Sequence, residues 1–136
     1  MWSHYADSHS GVCLIFDWNE PFFAAAQPVA YAQRRPIINP VFHGNDEMLS
    51  HALLTKSAQW SYEREWRIVH YRQGAGSYEF PPAALRGVIL GPQISTENRA
   101  LVEHWASNRS APLKTYEATL SDSEFKIHVH PSLSDA

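Results

Sequence analysis

The chain has one cysteine, few glycines and little charge of either sign. With Cys13 alone, no disulfide forms within the chain, and none of the paired-cysteine metal spacings is present. The composition therefore points to a reducing compartment, and a cytoplasmic location is expected. A net charge of −3 supplies no general field for bulk DNA or an acidic membrane, although it leaves room for a local basic cleft. No apolar run reaches the length of a membrane span, and the first residues lack the basic-then-apolar build of a secretory leader. No repeat or low-complexity tract is present. Charged residues make up 18% against 44% hydrophobic, which excludes a disordered chain and, over 136 residues, predicts a single folded domain spanning 1–136.

What the chain does have is aromatics, prolines and eight histidines. They are densest in Lys56–Tyr71, KSAQWSYEREWRIVHY. Read as a strand from Tyr62, this stretch alternates faces, with Glu63, Glu65, Arg67 and Val69 on one and Trp66, Ile68 and His70 on the other. One face then packs on the core and the other lines a polar cleft. The plainer alternative is an edge strand with solvated charges or a structural Glu–Arg pair. Trp60 and Tyr62 add aromatic surface that either stacks on a nucleotide base or fills the core.

The remaining elements follow from periodicity and punctuation. Trp2, Tyr5 and His9 fit one side of a short helix. Val12–Phe16 is an apolar run of strand length, expected to be buried on both faces with Cys13 as a core residue. Pro28–Tyr31 reads as an edge strand, Arg34-Arg35 as a solvated basic pair able to meet an anion, and Ile37-Ile38 as core. Asn45 or Asp46 caps a helix from Glu47 to about Lys56, with Met48, Leu49, Ala52 and Leu53 as its apolar stripe. A hairpin is expected between Trp66–Tyr71 and Ser77–Phe80 across the turn at Gly74 and Gly76. Pro82 opens a helical turn, and Gly87–Pro92 holds a buried strand. Ser95 or Thr96 caps the longest helix, with Leu101, Val102 and Trp105 inward, and two strands, Lys114–Leu120 and Phe125–His130, close the chain. Strands, helices and hairpins interleave, so the predicted class is α+β, a small mixed or antiparallel sheet with two to three helices.

The residues support few chemistries. His128 and His130 point the same way on a strand, but no third ligand has a known position, so no metal is expected. His4, Tyr5 and His9 offer acid–base groups or plain aromatic packing. No nucleophile elbow or phosphate loop is present. Glu63 and Glu65 are the strongest candidates, because a carboxylate held beside a cation stabilises developing positive charge.

Three stretches carry a resemblance: MWSHYADSHSGVCLIFD, KSAQWSYEREWRI and FPPAALRGVILG. In this order they resemble a bacterial family of unknown function, DUF2971, over about residues 1–92. Members carry a further N-terminal region with Y-H-Y-T and N-D-P segments, so the resemblance implies that this chain matches the C-terminal two thirds of that fold. More distantly, a charged strand, a proline turn and L-x-G-V-I-L-G are similar to DarT-like ADP-ribosyltransferases. That likeness implies NAD as substrate, Glu65 as the catalytic carboxylate stabilising an oxocarbenium-like transition state, and Arg67, Glu63, His4, Tyr5, Trp60 and Tyr62 in support. It implies a toxin or phage-defence role on a protein or nucleic-acid target, inactive if the upstream NAD-gripping strand is essential. An open sheet edge left by that strand favours a homodimer. The alternative function is a non-catalytic module binding a nucleotide or protein through the aromatic and charged cleft at residues 60–71, and a third is metal-dependent hydrolysis at His128 and His130.

Overall fold

The computed structural model describes residues 2–70 and 74–132. The fold is α+β and divides into two compact units, one made of residues 1–20 and 79–136 and the other of 21–78.

The first unit is built on a four-stranded mixed sheet in the order β1 (Val12–Phe16), β6 (Leu85–Leu90), β7 (Lys114–Leu120), β8 (Ile127–Pro131). β6 pairs antiparallel with β1 and parallel with β7, and β8 runs antiparallel to β7. A parallel neighbour needs a crossover, which α4 (Thr96–Ser107) supplies between β6 and β7. β6 is the centre of this unit. Val88 and Leu90 are fully buried, and Ala84, Leu85 and Ala118 complete the apolar core around them. β6 has a neighbour on each side, a setting that suits LRGVIL, apolar along nearly its whole length. The strand stops at Gly91, whose N–H donates to the Gly11 carbonyl while the Gln93 N–H donates to that of His9. A side chain at Gly91 would run into both of these carbonyl oxygens.

Ser95 caps α4, its hydroxyl accepting from the Asn98 N–H at 3.1 Å. The inward stripe is Arg99, Val102, Glu103 and Ala106, each half-buried. Leu101 and Trp105, expected inward, are 44% and 59% exposed. The half-buried face thus includes Arg99, which bonds Glu117 of β7 at 2.8 Å. β1 also differs from expectation. It is an edge strand covered on one face, with Val12 and Leu14 exposed and Cys13 and Ile15 half-buried. Burial pushes the Cys13 thiol up from its ordinary value, away from the thiolate, in keeping with a packing role. α1 (Trp2–Tyr5) precedes this strand. Three successive residues, Asp7, Ser8 and His9, then take left-handed backbone conformations and return the chain to β1.

The second unit contains α2 (Pro21–Ala24), β2 (Gln27–Pro28), β3 (Ala30–Ala32), α3 (Asn45–Leu53), β4 (Thr55–Ser57) and β5 (Trp66–Arg67). β2 pairs with β5 antiparallel and β3 with β4 parallel, giving two small ladders in place of one sheet. Its core is correspondingly slight, with Val29 and Leu54 buried. The N-cap of α3 is Gly44, ahead of the expected Asn45 or Asp46, and the helix ends at Leu53, short of the expected Lys56. Ile37 and Ile38 are 84% and 41% exposed, not core, since the prolines on either side keep 35–39 in an irregular segment with no ladder partner. The segment 77–80 is not a strand, so the expected hairpin does not form within the described residues; Tyr71 and Gln73 lie outside them. Among the described residues, no helix is long and apolar enough to cross a membrane.

Candidate functional site

The charged stretch does not run as a strand. β4 ends at Ser57 and the chain coils into a 3-10 helix, Ala58–Glu63. Arg64 ends that helix in the left-handed region, with φ 47°, and only then does β5 begin. Period-two alternation is therefore broken at Arg64, yet the outcome resembles what alternation suggests. The loop folds back so that Lys56 meets residues seven and nine positions further on.

Four charges form one network. Lys56 Nζ donates to Glu63 Oε2 and, at 3.4 Å, to Glu65 Oε2. Arg67 grips Glu65 with two donors, Nε to Oε1 at 2.5 Å and a terminal nitrogen to Oε2 at 3.1 Å, and donates a further bond to the Leu53 carbonyl at 2.5 Å. The two cations and two carboxylates balance. A bidentate guanidinium–carboxylate pair is the strong form of this interaction. It holds the Glu65 carboxyl below the ordinary carboxylate range, burial opposing and Lys56 adding to the effect. The Arg67 guanidinium is raised in turn, chiefly by Glu65.

The Glu65 backbone is fixed as firmly as its side chain. Its carbonyl accepts from the Val29 N–H at 2.9 Å, and its N–H donates to the Tyr31 hydroxyl at 2.8 Å. Tyr31 sits opposite Lys56 in the β3–β4 ladder, so one parallel pair of short strands positions both the cation and the carboxylate it meets. Glu63 lies deeper, with its side chain 2% exposed. Among the described residues its buried Oε1 has no hydrogen-bond partner, which makes Lys56 its main compensation. The Lys56 ammonium also stands 4.8 Å from the centre of the Trp60 ring, a cation–π contact, and Tyr62 lies 6.0 Å from Trp60 with most of its surface exposed.

Lys56 also lines a pocket of about 600 Å³. Ala32, Gln33, Arg34, Arg35, Ala52, Thr55, Lys56 and Ser57 line it. Three of these are cations and none is a carboxylate. Among the described residues, neither Arg34 nor Arg35 has a carboxylate partner. The pocket is therefore lined by the two arginines and by Lys56, whose charge Glu63 and Glu65 already meet.

The structure thus gathers Glu63, Glu65, Arg67, Trp60 and Tyr62 around Lys56. His4 and Tyr5 belong to α1 of the other unit, where both are exposed. His128 and His130 stack at 6.2 Å on β8 of that unit, largely exposed, with no third ligand among the described residues. Sequence reasoning missed Lys56 as the hub, because a contact across seven and nine residues follows from the 3-10 turn and not from strand spacing. It also set aside Arg34-Arg35 as solvated; the pocket gives that pair a shared wall with Lys56.

No curated protein and no solved structure matches the chain, ADP-ribosyltransferases included. The family model "Protein of unknown function (DUF2971)" matches residues 1–68. That match covers half of the 136 residues and includes the whole Lys56–Arg67 network, so the chain belongs to the DUF2971 family.

Proposed function

We propose that this protein binds a phosphate-bearing ligand of the nucleotide class in the pocket lined by Arg34, Arg35 and Lys56. The observation that carries this reading is the lining itself: three cations and no carboxylate, in a cavity of about 600 Å³. That volume falls within the usual range for small-molecule sites. Arginine pairs suit phosphate oxygens, which accept the planar guanidinium fork in bidentate fashion. Thr55, Ser57 and Gln33 add neutral donors and acceptors for a sugar or base. Titration of ADP into the protein is expected to give saturable binding. The Arg34→Ala/Arg35→Ala variant is expected to bind at least about tenfold more weakly, the loss of two charge-assisted contacts. Equal binding by this variant rejects the reading.

A second reading is favoured by Glu65. It is a fixed carboxylate, oriented by Arg67 and tied through Lys56 to the pocket wall. With NAD as the ligand, pyrophosphate on the arginines and Glu65 toward the nicotinamide ribose, the site would cleave the glycosidic bond and transfer ADP-ribose. The supporting geometry is weaker here, since Arg67 and Lys56 already occupy both Glu65 oxygens. The discriminating assay is release of nicotinamide from NAD. Release that disappears in Glu65→Gln while NAD still binds supports transfer, and binding without release leaves the protein a non-catalytic module.

A further inference from the structure

Away from this network, α3 and the turn before it bring together His43, Glu47 and His51. Glu47 and His51 are four residues apart, one turn of α3, and His43 joins them from the turn that precedes the helix. One ligand atom from each lies within 4.8 Å of the other two, with Glu47 Oε1 3.8 Å from His51 Nε2. The two imidazole rings are 5.4 Å apart at 53° to one another. Both histidines are half-buried and Glu47 is exposed.

From this geometry we infer a divalent transition-metal site, of the zinc class, held by His43, Glu47 and His51. Two imidazoles and one carboxylate are a donor set that suits zinc and leaves a fourth, tetrahedral position for water. Bonds near 2.1 Å place tetrahedral ligands about 3.4 Å apart, so closure on the ion asks for movements of about 1 Å by side chains that have the freedom to make them. The carboxylate in the first turn of α3 offsets the repulsion between a cation and the positive end of the helix.

The site carries its own signature. The Asn39 N–H donates to Nδ1 of His43 at 3.1 Å, which places the ring proton of the neutral imidazole on Nε2. A metal-bound imidazole must give one nitrogen to the ion and carry its proton on the other. Capture through Nδ1 displaces the Asn39 N–H directly. Capture through Nε2 moves the proton to Nδ1, where it faces the Asn39 N–H donor against donor. By either route the metal releases the Asn39 amide from His43, while the backbone bonds from Phe42 and His43 to the Asn39 carbonyl are untouched.

The test is titration of zinc chloride into the protein in a non-coordinating buffer, with the Asn39 amide followed by NMR. One zinc per chain is expected, with a large shift and faster hydrogen exchange at Asn39. Glu47→Gln and His51→Ala should each weaken binding at least about tenfold, a ligand mattering no less than its supporting contacts. Both lie on the helix surface, and an unchanged melting temperature without metal shows that they fold. His128→Ala/His130→Ala should bind zinc like the parent. Absence of stoichiometric binding, binding that survives His51→Ala and Glu47→Gln, or binding that depends on His128 and His130 instead overturns the inference.

Discussion

Lys56 is the residue on which the second unit turns. It compensates the buried Glu63, bonds Glu65, stands by Trp60 and lines the pocket. Removing one partner of a buried pair strands the other charge, so Lys56→Met should destabilise the protein by about 3–5 kcal/mol. Pairing it with Glu63→Gln, which takes away the stranded charge, should restore much of that loss. Chemical denaturation of both variants checks this, and equal losses would show that Glu63 is not held by Lys56. Glu65 gives a separate handle through pH. Its carboxyl is held low in the folded state, mainly by Arg67, so as pH falls the unfolded chain takes up the proton first. The stabilisation is therefore complete above the ordinary glutamate range and drains away as pH drops through the lowered value. The difference in melting temperature between the parent and Glu65→Gln should be largest near neutrality and shrink below about pH 4. A difference independent of pH would mean that the Arg67 pair adds nothing to stability.

Among the elements, those with a long apolar signal and firm punctuation were legible in the sequence. β6 follows from an apolar run ended by Gly91-Pro92, α4 from its Ser95 cap, and β7 and β8 from alternation around the Ser121–Glu124 turn. The failures share a cause: tertiary contacts overrode local pattern. Alternation in Tyr62–Arg67 suggested a strand, but a 3-10 turn closed by a left-handed Arg64 satisfies Glu63 and Glu65 through Lys56 instead. Leu101 and Trp105 suggest the inner face of α4, but the half-buried face carries Arg99, bonded to Glu117, and leaves both of them exposed. The His43–Glu47–His51 spacing was visible as H-x-x-x-E-x-x-x-H, yet His43 lies before the helix, so helical periodicity did not collect it. The close approach at the end of β6 yields an element-scale prediction. Gly91→Ala forces a methyl group against the carbonyls of His9 and Gly11, the latter 2.5 Å from a built Cβ. Both carbonyls belong to rigid backbone, so a loss of at least about 2 kcal/mol is expected. A melting temperature equal to that of the parent would contradict this packing.

At the scale of the molecule, the two units divide the labour unevenly. The first unit has the larger sheet and the better core, with β6 at its centre. Among its described residues the second has only two-stranded ladders, yet it holds the ion network, the cationic pocket and the histidine–glutamate cluster. The candidate sites are thus concentrated where regular structure is least, in segments fixed by side-chain contacts. Phosphate binding at the arginine pair is tested by calorimetric titration of NAD and ADP into the parent chain and into Arg34→Ala/Arg35→Ala. Saturable binding of both ligands by the parent is expected, weakened by added salt because phosphate contacts are screened, and at least about tenfold weaker binding by the variant. No heat from either ligand, or equal affinity in parent and variant, would contradict it.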